Sequence, residues 1–303
     1  MTVRTIIVPP GVTIRGGGPS STVVGDFSAR TGGTSPVFLF TGSDDVRFED
    51  FRLTLGKNAR GFYTRGSRRV LFRNLIVTGN LVEESTSSIA LYLANSSEIE
   101  ITGVSIQNTV GGIYLAGVNT AIVKGNRFER VNFGNIVVHG QDVLIFDNDI
   151  VEAGYPGANI APSGDGVTVT TIGSTSHIVI RNNRFLHGFC FHINARPNVT
   201  ALDISGNTFT GGVTSSVFLD HVSFSQVVDN TFTATPEKKG WGIAIAYPVG
   251  ITVSGNQLIG VRAYVGRSMS GTYVGNTFST DGKSFVIYQQ RPTDFYEANV
   301  VEP

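Results

Sequence analysis

The chain has 303 residues, 41% of them hydrophobic and only 15% charged, and its 23 Lys+Arg balance 23 Asp+Glu. A zero formal charge removes the electrostatic reason to expect nucleic acid or an anionic membrane as a partner. The single cysteine, Cys190, excludes an intramolecular disulfide framework and a cysteine-rich metal site.

Reading along the chain, the opening MTVRTIIVPPGVTIRGGG passes directly into strand and turn residues and lacks a signal-peptide pattern. No later segment is long and apolar enough to predict a membrane-spanning helix. For a secreted protein the expectation is a leader already removed from this sequence or lying in a longer parent chain.

From residue 46 one eight-residue pattern recurs. Its copies are VRFEDFRL (46–53), VLFRNLIV (70–77), IEITGVSI (99–106), AIVKGNRF (121–128) and VLIFDNDI (143–150). They continue as IVIRNNRF (178–185), LDISGNTF (202–209), SQVVDNTF (225–232), ITVSGNQL (251–258) and GTYVGNTF (271–278). Start-to-start spacings of 24, 29, 22, 22, 35, 24, 23, 26 and 20 define a repeat architecture.

The fifth position of every copy is Gly, Asp or Asn, from Asp50 to Gly275. These residues tolerate a left-handed backbone, so the sequence predicts a bend there in each copy. The sixth is Asn in seven copies, Asn126 to Asn276, which predicts a buried ladder of stacked amides. The eighth is Phe in five copies and aliphatic otherwise, a predicted core stack. A second alternating strand separates the copies, as in IALYL, GIYLA, NIVVH, GVTVT, CFHIN, VFLDH and GIAIA.

Strand, bend, strand, loop, strand at this period resembles the right-handed parallel β-helix of the pectin-lyase-like superfamily, and the likeness covers nearly the whole chain. It implies an all-β solenoid of roughly 11–12 coils, a rod of about 55 Å, spanning residues 1–288 with a C-terminal tail or cap at 289–303. That superfamily includes lyases, hydrolases, epimerases, tailspikes and adhesins, so the fold alone does not choose an activity.

Regular coils need about two dozen residues, and the excess falls in 78–88, 152–165 and 233–241. Each excess precedes the second strand, so three long loops are expected along one edge, walling a groove. The second strand floors that groove. Alternation turns His192/Asn194, Thr168/Thr170 and Phe218/Asp220 outward, and equally Val137/His139, Tyr114/Ala116 and Arg262/Tyr264. Thr168, His192 and Phe218 are expected as vertical neighbours, as are Thr170, Asn194 and Asp220, with Arg196 and His221 at the strand ends.

Polygalacturonase-like hydrolases of the superfamily carry N-T-D-G and G-D-D-C motifs. SGDGV (163–167) and HGFCF (187–191) match them at Asp165 and Cys190, but Phe189 stands where the acid pair belongs. Inverting hydrolysis needs two carboxylates at a set separation, and Asp165 with Asp220 is a weak candidate pair. β-Elimination or C5 epimerisation of a uronate needs a neutralised carboxylate and a base. His192 as base, Asn194 and Arg196 as neutralisers, and Tyr114 or Tyr247 as acid fit those roles, with Asp165 and Asp220 beside them.

Tyr114, Phe218, Trp241, Tyr247 and Tyr264 are candidate sugar-stacking residues, and His139, Thr168, Thr170 and His221 candidate polar contacts. Related lyases use Ca²⁺, for which Asp165 and Asp220 are the nearest carboxylates; no other cofactor is implied. The acids Asp26, Asp44, Asp45, Glu83, Glu84, Asp142 and Asp281 fit turns or loops.

The expectation is therefore a polysaccharide-binding β-helix, extracellular or on a virion surface, monomeric or trimeric, with lyase or epimerase activity on an acidic glycan. Its rivals are a non-catalytic tailspike or adhesin module and a glycoside hydrolase.

Overall fold

The computed structural model describes residues 5–27, 35–56, 59–81, 88–156, 164–170, 175–237, 240–266, 270–279, 286–288, 294–297 and 299–302. Every strand among them pairs in parallel with the strand one coil away, and none of the described residues is helical. The result is the expected β-solenoid, a three-faced coil repeated along one axis.

The groove face carries the second strands, such as Val167–Val169, Phe191–Ala195, Ser215–Asp220 and Trp241–Ala246. The next face begins each repeat copy, as in Thr175–Arg181 and Val199–Ser205. The third is a twelve-stranded sheet containing Arg184–Leu186, Thr208–Thr210 and Thr231–Thr233. Two long strands, Gly111–Lys124 and Ile136–Phe146, run unbroken round the corner from the groove face to its neighbour.

All ten fifth positions have positive φ, between 53° at Asn74 and 64° at Gly255 and Gly275. The backbone bends left-handed at the same point of each coil, which is why Gly, Asp and Asn hold these sites.

One residue later runs the amide ladder. Asn126, Asn148, Asn183, Asn207, Asn230, Asn256 and Asn276 each donate Nδ2–H to the Oδ1 of the next asparagine at 2.9–3.1 Å. The same Oδ1 also accepts the preceding asparagine's backbone N–H, as in Asn183 to Asn207 at 2.9 Å. Asn299 extends the ladder one coil beyond the recognised copies. Strands Phe295–Glu297 and Val300–Glu302 pair in register there, within the segment read as a tail or cap.

The eighth-position stack fills the centre, with Phe185, Phe209 and Phe232 at centroid distances of 4.9 and 4.7 Å and fully buried. Toward the N-terminus, Phe38, Phe48, Phe62 and Phe72 take over the same role. Rings in contact along the axis give each coil a large apolar area to bury against the next, the main stabilising term for a solenoid.

Candidate active site

The loop edge of the rod is held by backbone ladders of its own. Gly111 N–H donates to Ser88 O, Asn135 N–H to Asp165 O, and Gly240 N–H to Gly212 O. The three long loops thus return to the groove face along one edge, as their spacing implied. Their middles, 82–87, 157–163 and 238–239, lie outside the described residues, and so do Glu83, Glu84 and Asp281.

Against the second of these loops is a cavity of about 380 Å³. Asp165, Thr168, Thr170, Asn194 and Arg196 supply its polar lining, and Phe133, Val137 and Phe191 its apolar wall. Register explains the gathering. Thr168 lies opposite Asn194, and Asn194 opposite Phe218. The next outward position runs His139, Thr170, Arg196, Asp220, because Val138, Val169, Ala195 and Leu219 are aligned just before it.

This corrects the expected columns by two residues. The outward pair of this coil is Asn194/Arg196, and His192 is not part of it. His192 is 0% exposed. It sits where each groove-face strand turns in from its loop, a column of Gly112, Asn135, Gly166, His192, Ser216 and Gly242 set by the alignment of the following residues.

Side chains at that corner point beneath the loops, so His192 and Ile193 are both buried in succession and alternation fails there. The imidazole lies 5.7 Å from the Phe185 ring and 5.8 Å from the Phe209 ring, and its Nε2 accepts the Gly188 N–H at 3.1 Å. A Cβ on Gly188 would meet the ring at 2.6 Å, so the glycine makes the space that the histidine fills. His192 is a core residue, and the expected catalytic base does not reach the groove. Phe191, read as inward, instead packs on the outward Phe218 ring at 5.1 Å and lines the cavity.

Asp165 is the electrostatic centre of the cavity. It is 6% exposed, and its Oδ2 accepts Asn194 Nδ2–H at 2.8 Å and Thr168 Oγ1–H at 2.9 Å. Burial pushes its carboxyl above the usual range, and these hydrogen bonds, the Phe191 N–H and the Arg196 charge offset that only in part. Asn194 is fully buried, and its Oδ1 has no hydrogen-bond partner among the described residues; neither has Thr170 Oγ1. Unpaired buried acceptors are costly, so a cavity lined by them is suited to a ligand that donates hydrogen bonds. Cys190 also lines the cavity, its thiol pushed up by burial and by Asp165.

A second cluster begins at Asp220, opposite Arg196. Its Oδ1 lies 2.6 Å from His221 Nδ1, and the His221 ring stacks on Tyr247 at 4.5 Å. Trp241 and Tyr264 meet edge-on at 5.9 Å further along the face. Phe189, in the place of the hydrolase acid pair, packs edge-on against Tyr155 and anchors the loop.

Tyr114 does not offer a ring face: it stacks on Tyr92, and its hydroxyl donates to Phe133 O at 2.8 Å. Burial raises its pKa, which argues against the acid role considered for it. His139 is half-buried and its pKa is lowered by that burial. Phe133 was not anticipated; the Phe133-Gly134 pair, with Gly134 at φ 69°, was the available signal of a turn at the groove edge.

A calcium ion takes six to eight oxygens, usually with clustered carboxylates. Among the described residues no three acid, histidine or cysteine side chains gather as a metal site. Asp165 is occupied by Asn194 and Thr168, and Asp220 by His221. The described residues do not fit calcium. No helix among them is long and apolar enough to cross a membrane.

Comparison with known proteins agrees with this architecture. A family model described as right handed beta helix region matches residues 60–278. The structure is similar to the Azotobacter vinelandii mannuronan C-5 epimerase AlgE6 A-module, with 12% identity, TM-score 0.56, and 89% of this chain and 91% of that one covered. It is also similar to a mutant tailspike of E. coli bacteriophage HK620 in complex with pentasaccharide, with 14% identity, TM-score 0.66, and 99% and 60% covered. An alginate lyase from Paenibacillus sp. str. FPU-7 superimposes with 14% identity, TM-score 0.52, and 84% and 92% covered. No curated protein sequence matches the chain significantly. At such identities these likenesses carry the fold alone, and the family match over most of the chain shows that it belongs to the right handed beta helix family.

Proposed function

We propose that this protein binds an acidic polysaccharide along the groove and acts on it as a lyase or C5-epimerase at the Asp165–Asn194–Arg196 cavity. The observation that carries the reading is a buried carboxyl of raised pKa opening on a cavity beside an exposed guanidinium. Removing the proton next to a uronate carboxylate requires that carboxylate to be neutralised, and Arg196 supplies the planar donor fork for it. Burial makes Asp165, once ionised, a stronger base than an exposed aspartate. His221 has Nδ1 engaged by Asp220, which leaves Nε2 as the nitrogen available for a second proton transfer next to Arg196. Elimination expels the glycosidic oxygen, whereas epimerisation returns the proton to the opposite face.

Neighbours named as a mannuronan epimerase, a periplasmic alginate epimerase and an alginate lyase support this choice among the superfamily's activities. They also support a location outside the cytoplasm. The tailspike bound to a pentasaccharide supports the rival reading, glycan binding without turnover on a virion surface.

Incubation with alginate, polymannuronate and polygalacturonate separates the two. Ultraviolet absorbance of an unsaturated product marks elimination, and proton NMR of the polymer marks epimerisation. Arg196→Ala is expected to lower either rate at least a hundredfold, because it leaves the substrate anion unpaired. Binding without turnover on every substrate would overturn the enzymatic reading and leave the tailspike one.

A further inference from the structure

Tyr63, Tyr92 and Tyr114 occupy one outward column of the groove face, with ring centroids 5.4 and 6.0 Å apart. Tyr92 is stacked on both faces and Tyr63 and Tyr114 on one each, so the column presents mainly ring edges and hydroxyls. The Tyr63 and Tyr92 hydroxyls have no partner among the described residues. Arg60 adds a guanidinium 5.7 Å from the Tyr92 ring centre.

Two residues further along each strand, the parallel column reads Arg65, Ala94, Ala116, His139, Thr170, Arg196. Arg65 and Arg196 are both exposed, and neither forms an ion pair among the described residues. Between them the two alanines keep the floor low beside Arg65, and the half-buried His139 and Thr170 lead on to Arg196. Five coil steps separate the two guanidiniums, about 24 Å at the spacing of paired strands.

We propose that this column is an extended track for a linear polyanionic glycan, with Arg65 a second anion-binding position five coils from Arg196. The inference rests on the reading of Arg196 as the seat of an anionic sugar group. The rod is rigid, so the two cations stand at a fixed separation before the ligand arrives. A chain long enough to reach both gains the second contact at high effective concentration, whereas a shorter one cannot. The tyrosine hydroxyls beside the trough hydrogen-bond the sugar hydroxyls between the two anchored anions.

The test is calorimetric titration with oligouronates from disaccharide to octasaccharide, and with a sulfated glycan series of the same lengths. Wild-type affinity is expected to step upward once the oligomer spans five coils. Arg65→Ala should remove the step, weakening long oligomers about fivefold, the effect of one exposed ion pair, and leaving short ones unchanged. Ala94→Gln, which raises the floor, should weaken the long ligands in the same way.

Length-independent binding, or equal binding of long uronates by wild type and Arg65→Ala, overturns the track while leaving the uronate reading intact. A length step that depends on Arg65 for sulfated chains only keeps the track and overturns the uronate reading. Failure of both series to bind overturns both.

Discussion

The asparagine corner and the loop corner of the rod lie on the same coils, and they solve the same problem in opposite ways. Both must bury polar groups where the chain turns. At the asparagine corner one side chain repeats through eight coils, and every Oδ1 after that of Asn126 takes two donors from the asparagine before it. At the loop corner the equivalent column changes from Gly112 to Asn135, Gly166, His192 and Ser216, and beside it Asn194 and Thr170 keep oxygens with no partner among the described residues. A closed and repeated network stabilises the coil. An open and unrepeated one costs stability, and the cavity stands where that cost is accepted.

The strongest way to break the contrast is in the ladder itself. Asn207→Ala removes the acceptor of both the Asn183 N–H and its Nδ2–H, and three bonds donated by Asn207. Leaving those buried groups unsatisfied is expected to cost about 3–5 kcal/mol in urea unfolding. A loss below about 1 kcal/mol would mean that the ladder follows the fold without supporting it.

The loop corner gives the next effect. His192→Ala empties a packed site beside Phe185 and Phe209 and should cost about 2–4 kcal/mol. Turnover and glycan affinity of the folded variant should match wild type. A hundredfold loss of turnover at unchanged stability would return the histidine to the chemistry.

Asp165 sharpens the comparison through pH. Its folded-state pKa is raised, so between the unfolded value and the folded one the native state holds more protons. Stability should therefore fall as pH rises through that window, and the cost should persist above it. In Asp165→Asn this descending component should vanish from thermal melts taken across the window. A rising trend in the wild type assigned to Asp165 would contradict the burial effect.

The smallest change separates bend positions. A Cβ on Gly275 meets nothing within 4 Å, whereas one on Gly206 would lie 2.6 Å from Asn182 Oδ1. Gly275→Ala should cost about 1 kcal/mol from its left-handed φ alone, and Gly206→Ala should cost more. Equal losses would show that the Asn182 side chain at the neighbouring bend gives way freely.

How far each part could be read in advance follows from the same contrast. The bends, the amide ladder and the phenylalanine stack were legible because each is one chemical class of residue recurring at one phase of the repeat. The polar groups at Asp165, Thr168, Thr170, Asn194 and Arg196 were legible as a set, since a patch of unlike residues interrupts a uniform face. Their pairing was not. Alternation sets parity, so Asn194 faces outward as expected, but a loop of altered length before the strand lets the register shift by two without violating parity. His192 has the outward parity and is still buried, because it is the second residue of its strand, at the corner where the chain comes in beneath the loop. Gly188 and Gly212, either side of it in sequence and both against its ring, were the only hint.

By itself, then, the sequence determined the solenoid, its bends, its ladder and the edge on which the loops return. Those features are periodic, and a stacked coil buries a residue only if its neighbours above and below do the same. Tertiary structure decided which side chains share the cavity. That depends on how each loop delivers its strand to the face, a local geometry that no period encodes. The two arginines in line on one column, five coils apart, likewise became visible only once the coils were stacked in register.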